Sequence, residues 1–334
     1  MRLVIIAVIK LKLVSIVMKS ALLLIILSLN AQAEGYGSHP AAKTFIDKMV
    51  VEHGFERAYI QQIIGGAERK QSILDAISRP AERAKPWKDY RKIFVTKTRT
   101  QQGREFLIEY ADTLARAERD FGVPKEIIAA IIGVETRYGR HKGRYRVIDA
   151  LATLGFDYPK RSKFFSKELE EYLLLVREQQ FDAEAVKGSY AGAMGYGQFI
   201  PSSYRYYAID FDGDGVADII NNPIDAIGSV ANYFKSHGWI TDGVVVVSAD
   251  VSDSYDTSLA NKQLKPSVTI AQAKQKGYVL TDDVPETEKV TPLRLLGEDG
   301  EEHWLGLKNF YVITRYNHSR LYAMAVYQLS EALK

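Results

Sequence analysis

The sequence contains no cysteine. Disulfides are therefore excluded, and an exported form must hold its fold by core packing, with a bound metal as the remaining staple. A leader would also lack a thiol for lipid attachment behind it, which predicts a soluble protein rather than a lipoprotein. The six histidines form no HExxH, and neither GxSxG nor GxxxxGK[ST] occurs. Zinc-protease, serine-hydrolase and P-loop chemistries thus have no motif to stand on. Excess charge is missing too. The net charge is +3, but Arg2, Lys10, Lys12 and Lys19 lie within the first 33 residues with no acid among them, leaving −1 for the remainder. A nearly neutral body suits no broad run of phosphate contacts, so nucleic acid drops out as a partner.

What is present is ordinary globular composition, 46% apolar and 25% charged over 334 residues. That length is enough for one large domain or two to three small ones. Aromatics reach 11%, with 20 tyrosines. Such a content suits a cleft that stacks sugar rings, or simply tyrosines half-buried at surfaces. Basic residues precede an apolar run, Ala21–Leu29, and Ala31-Gln32-Ala33 supplies a small-x-small pattern. This predicts a signal peptide, residues 1–33, with translation starting at Met1 or Met18. The run is shorter than the roughly 20 residues a membrane-spanning helix needs.

From Ala41 to about Glu118 apolar residues recur at helical spacing, in segments such as Ala41–His53 and Tyr59–Gly65. Residues 105–140 read as two helices joined at Phe121-Gly122-Val123-Pro124, the second stopping at Gly139. Helical patterning resumes over Lys167–Gln180 and Asn222–Ser236. After Trp239 the β-branched runs Val244–Ser248, Gly277–Thr281 and Val290–Leu296 read as strands of a small β-rich insertion, residues 241–305. The chain returns through Phe310–Tyr316 to a last helix, Ser319–Leu333. Runs of helices followed by runs of strands make the fold class α+β, mainly helical.

Ile127, Ile131 and Glu135 fall at i, i+4 and i+8, so a carboxylate continues an apolar stripe. The neighbours of Glu135 at i±3 and i±4 are Ile131, Ile132, Tyr138 and Gly139, none of them basic. Apolar surroundings and the negative end of the helix dipole would both favour its protonated form. A carboxylic acid kept protonated is what leaving-group protonation of a glycoside requires. A buried glutamate bonded to backbone or to a distant arginine is the competing reading.

Further on, the loop Gly188–Pro201 carries glycines at 188, 192, 195 and 197, interleaved with Tyr190, Tyr196 and Gln198. Glycines let a backbone approach a ligand closely, and Tyr and Gln suit a sugar's faces and hydroxyls; a tight structural turn is the plain alternative. Asp210-Phe211-Asp212-Gly213-Asp214-Gly215 matches the opening of an EF-hand loop. Asp210, Asp212 and Asp214 would be ligands at positions 1, 3 and 5, and the Val216 carbonyl at position 7. Position 12 is Asn221 rather than the usual Glu. A solvated acidic turn is the alternative, although three such close carboxylates would repel one another without a cation.

These segments resemble the lytic murein transglycosylase B family. The matching stretches are Gly133-Val134-Glu135-Thr136-Arg137-Tyr138-Gly139, Tyr190 through Tyr204, Asp225 through Phe234, and Thr314-Arg315-Tyr316-Asn317-His318-Ser319 followed by Tyr322–Val326. The resemblance implies a lysozyme-like core, residues 116–240 plus 306–322, which would carry the EF-hand-like loop 210–225. It also implies a helical domain, 34–115, joined by the C-terminal helix 323–334, and the β-rich domain 241–305. Its catalytic glutamate falls on Glu135, and residues shaping its cleft fall on Ser189, Tyr190, Gln198, Tyr233, Asn317, Tyr322 and Tyr90. Lys160 and Arg161 fall where the family has basic residues that meet the stem peptide. The family's calcium loop is closed by the Asp of a Pro-x-Asp segment, here Asp225.

The implied activity is cleavage of the bond between N-acetylmuramic acid and N-acetylglucosamine in peptidoglycan, with a 1,6-anhydro product. It needs no catalytic cofactor; the implied calcium is structural. The implied setting is the periplasm, for a monomer acting on glycan strands and stem peptides, with cell-wall synthesis proteins as candidate partners. Two alternatives remain open: a hydrolysing muramidase, and a wall-binding protein without catalysis.

Overall fold

The computed structural model describes residues 35–79 and 85–334, so the expected signal peptide lies outside the described residues. The first helices are α1 (Pro40–His53), α2 (Arg57–Gly65), α3 (Gln71–Ser78), α4 (Trp87–Phe94), α5 (Lys97–Glu109) and α6 (Ala111–Phe121). A central group follows: α7 (Lys125–Thr136), α8 (Val147–Asp157), α9 (Ser162–Gln179), α10 (Pro201–Tyr207) and α11 (Pro223–Ser236). Two short strands, β1 (Tyr145–Arg146) and β2 (Lys187–Gly188), pair antiparallel beside them. Strands β3 (Val246–Val251), β4 (Val268–Thr269), β5 (Tyr278–Val279), β6 (Lys289–Leu296) and β7 (Glu301–Gly306) come next, with α12 (Ile270–Gln275) between β4 and β5. Helices α13 (Lys308–Tyr316) and α14 (Arg320–Leu333) close the chain.

Local chemistry sets the helix limits. Pro40 and Pro223 open α1 and α11, capped by His39 and Asn222 side chains that accept from Ala41 and Ile224 N–H groups. Gly54 ends α1 in the left-handed region. Thr269 and Gln272 form a reciprocal capping box on α12.

The core is built around α7, whose residues Ile127–Val134 are all buried. Helices α5, α6, α11 and α14 pack on it. Helix α14 also touches α4 and α5, so the end of the chain joins the N-terminal helices to the centre. The sheet has order β4-β6-β7-β3-β5, antiparallel throughout. Its strands alternate, as pleating requires. Val246, Leu293 and Leu295 face the main core, whereas Val247, Val290 and Leu305 enclose a second small core with Ile270 and Tyr278.

Three details depart from the sequence reading. The chain over 97–121 breaks at Tyr110 into α5 and α6. Helix α7 stops at Thr136 rather than Gly139, because Arg137 and Tyr138 already adopt φ of 53° and 59°. Strand β7 opens on Glu301-Glu302-His303, a polar run without strand character in its composition.

Candidate active site

The early stop of α7 shapes the site. A left-handed conformation costs a non-glycine residue about 1–2 kcal/mol, and two in succession must be held by their surroundings. The Tyr138 ring provides this by lying against Gly133; a Cβ there would sit 2.6 Å from the ring. The Thr136 hydroxyl donates to the Tyr196 carbonyl at 2.9 Å and accepts from the Gly139 N–H at 2.9 Å. The end of α7 is thereby tied to the glycine-rich loop. Glu135, one residue before that end, is half-buried.

The Tyr322 hydroxyl of α14 donates to Glu135 Oε1 at 2.6 Å. Tyr322 is 2% exposed. Burial first, and then the Glu135 charge, push its pKa well above the ordinary 10, and the same two causes raise Tyr316. Both phenols therefore keep their protons throughout any working range. Tyr316 donates to the Gly197 carbonyl at 2.6 Å, and Tyr233 of α11 donates to the Arg315 carbonyl at 2.6 Å. The rings of Tyr233 and Tyr316 meet edge to face at 4.8 Å, and Phe199 sits against both. Tyr90, buried on α4, is near enough to add to the shift on Tyr322.

The glycine-rich loop folds on itself through bridges of Met194 with Gly188 and Phe199. Ser189 Oγ accepts from the N–H groups of Ala191 at 3.3 Å and Ala193 at 3.0 Å. Gln198, at φ 52°, turns its amide to the carbonyls of Gly195 (2.9 Å) and Lys142 (3.3 Å). The Tyr190 ring is exposed, and Asn317 lines a cavity beside α4. The structure thus brings Glu135, Tyr322, Tyr233 and Tyr90 into one set of packed elements, with the loop of Ser189 and Gln198 tied to it through Thr136 and Tyr316. Lys160 and Arg161 lie in the exposed turn before α9, where Arg161 lies over the Phe164 ring at 4.2 Å.

Sequence reasoning passed over Tyr316 and Thr136 as site residues. Both lie inside the matching stretches, but only the fold reveals what their hydroxyls hold.

In the acidic loop, Asp210, Asp212 and Asp214 point carboxylate oxygens within 4.8 Å of one another. Asp210 accepts from Gly213 and Gly215 N–H groups at 2.7 Å each and from Asp214 at 3.1 Å. The bond from Gly215 is the main cause that lowers its pKa. Three hard anionic oxygens on a turn suit calcium. Asp225 stays out of this cluster. It is buried, and its two oxygens accept from Phe211 N–H (2.7 Å) and Asp218 N–H (2.8 Å), which ties the two arms of the loop together. The Val216 carbonyl accepts from Asp218 N–H at 3.1 Å.

A mainly helical body with a half-buried glutamate at a helix end places the molecule in the lysozyme-like class of folds. Within that class the chain belongs to the Transglycosylase SLT domain family, whose model matches residues 37–331. It is 47% identical over 307 residues to the membrane-bound lytic murein transglycosylase B of Escherichia coli strain K12, covering 89% of this chain and 84% of that one. The structure of catenated lytic transglycosylase SltB1 from Pseudomonas aeruginosa superposes with a TM-score of 0.86 at 52% identity, over 89% of this chain and 98% of that one. The Escherichia coli lytic transglycosylase Slt35 in complex with calcium gives 0.83 at 45% identity, over 91% and 97%. Among the described residues, no helix is long and apolar enough to cross a membrane.

Proposed function

We propose that this protein is a peptidoglycan lytic transglycosylase in which Glu135 acts first as acid and then as base. The observation that carries the reading is the hydrogen bond from Tyr322 to Glu135 at the end of α7. A protonated Glu135 gives its proton to the oxygen bridging N-acetylmuramic acid and N-acetylglucosamine, and the bond from C1 to that oxygen breaks. The substrate's own N-acetyl carbonyl stabilises the cationic C1. The Glu135 carboxylate then takes the proton of the C6 hydroxyl as O6 closes on C1. A 1,6-anhydro ring forms, Glu135 is protonated again, and water is not consumed. The Tyr322 phenol donates to the carboxylate form and accepts from the acid form, so it holds Glu135 through both halves. A second carboxylate, as in ordinary glycosidases, has no step to perform.

Ser189, Tyr190, Gln198, Tyr233, Asn317 and Tyr90 would line the glycan cleft, with Tyr316 fixing its floor. Lys160 and Arg161 would meet the stem peptide from the turn before α9. Asp210, Asp212, Asp214 and the Val216 carbonyl would hold a structural calcium, with Asp225 behind them; the calcium complex of the Escherichia coli relative supports this. Residues 34–115 with 323–334, 116–240 with 306–322, and 241–305 would form three domains, a division supported by α14 packing on α4 and α5. The expected signal peptide and the substrate class favour the periplasm.

Purified peptidoglycan digested by the protein should release muropeptides one water lighter than hydrolytic products. Normal reducing ends would instead identify a hydrolysing muramidase, and no products a binder. Glu135→Gln should abolish release while retaining binding; substantial residual release would sink the assignment of Glu135.

A further inference from the structure

A cavity of about 480 Å³ lies where the start of α4, strand β6 and the α13–α14 link meet. Asn317 forms part of its wall, and its neighbour Tyr316 belongs to the site around Glu135. The charged residues of the lining are Lys85, Arg294 and Arg320, all cations, with His318 beside them. Among the described residues no carboxylate lines it. Arg294 reaches Glu301 at 3.5 Å, and Arg320 donates one nitrogen to the Asn261 carbonyl at 2.9 Å. Burial lowers the pKa of Arg320, and no anion among the described residues offsets that cost. The first turn of α14 also opens here through Ser319 and Arg320, adding the positive end of a helix. Trp87 and Leu295 give the cavity an apolar back.

We propose that this cavity binds a carboxylate-bearing stem peptide of the peptidoglycan strand whose glycan lies against Asn317. The inference rests on the reading of the protein as a peptidoglycan transglycosylase. Glycan strands are uncharged along the sugar backbone once the lactyl groups are amidated by peptide, so free carboxylates on a strand sit on its stem peptides. A cavity lined by cations and, among the described residues, by no carboxylate, next to the cleft, matches that chemistry. The volume exceeds what one carboxylate fills, and the apolar back suits the peptide's methyl groups. Lys160 and Arg161, on the turn before α9, are not among the residues that line it.

The test compares strands that keep their stem peptides with strands from which an amidase has removed them and whose freed lactyl carboxylates have been capped as methylamides. Binding is measured with Glu135→Gln, so that no cleavage intervenes. That protein should bind peptide-bearing strands about tenfold more tightly than bare ones. Adding Arg320→Gln, or independently Lys85→Ala or Arg294→Ala, should bring the ratio toward one, and folding is checked by thermal midpoint. Lys85 is exposed and its variant puts folding at least risk. An unchanged ratio in all three variants, or no preference in the parent, would overturn the inference. Failure of the function itself reads out elsewhere, as absence of light muropeptides from the wild type.

Discussion

Glu135 and Glu170 are both helical glutamates, and the structure ties one to a phenol and the other to cations. Glu170, in the body of α9, has its side chain 4% exposed and ringed by Lys48 at 2.5 Å, Lys167 at 2.7 Å and His53 at 2.9 Å. Burial works to raise its pKa, but the three partners outweigh burial and bring it from 4.5 to about 2. That carboxylate is an anion at every working pH. Glu135 takes a hydrogen bond from a phenol that stays neutral. The lesson concerns partners rather than burial: a cation fixes one protonation state, whereas a hydroxyl serves both.

The largest effect should come from replacing each of the two carboxylates by its amide. Glu135→Gln removes the proton carrier and should cost at least about 10³-fold in turnover, the range of general acid–base catalysis. Glu170→Gln should leave turnover near normal but lower stability by about 2 kcal/mol, since Lys48 and Lys167 can partly rehydrate. Equal losses of turnover in both variants would erase the distinction. Acid sharpens it. A carboxylate whose pKa is lower in the folded than in the unfolded chain stabilises the fold above the unfolded value. For Glu170 that stability should drain away as pH falls from about 4.5 to about 2. Melting curves of the wild type over that range should show this acid loss, with a smaller slope in Glu170→Gln.

Tyr322→Phe probes the other half of the comparison. It keeps the ring and deletes the hydroxyl, so the expected loss is about 10- to 100-fold in kcat, a bond of roughly 1.5–3 kcal/mol to a charged acceptor. KM should hold. A variant as active as the wild type would mean that the phenol merely fills space. Tyr316→Phe should cost less, because its hydroxyl serves the Gly197 carbonyl rather than the carboxylate.

How much of this could be read from residues alone differs sharply between elements. The apolar stripe through Ile127, Ile131 and Glu135 placed the glutamate on a buried helix by spacing, and α7 is such a helix. Its true end was illegible, because the stop depends on Tyr138 filling the space over Gly133, a contact across the turn. The Tyr322–Glu135 bond joins residues 187 apart, and no periodicity encodes it. Only the resemblance pointed to Tyr322. Strand β7 hid because its outward residues are charged and its pairing with β6 and β3, rather than its composition, makes it a strand. The three aspartates of the loop were plain as a local pattern, since a turn needs no distant partner to bring them together.

Those aspartates form a third arrangement of carboxylates, and their expected effect falls on stability and leaves turnover alone. Asp210, Asp212 and Asp214 are exposed and held by backbone N–H groups rather than by cations or phenols. Calcium would supply the missing positive charge. At about 100 times its Kd, an ion that binds only the folded state adds about 2.7 kcal/mol, or roughly 5 °C in a chain of this size. Stripping the ion with a chelator and restoring millimolar calcium should move the Tm by that amount. An unchanged Tm would remove the metal site. Asp212→Asn should abolish the shift while leaving the stripped protein almost as stable. Asp225→Asn separates two roles for the buried residue. If it only ties Phe211 and Asp218 together, the variant melts lower by the same amount with and without calcium, because an amide nitrogen now faces an N–H it cannot accept from. If it reaches the ion as well, the calcium-dependent shift itself shrinks.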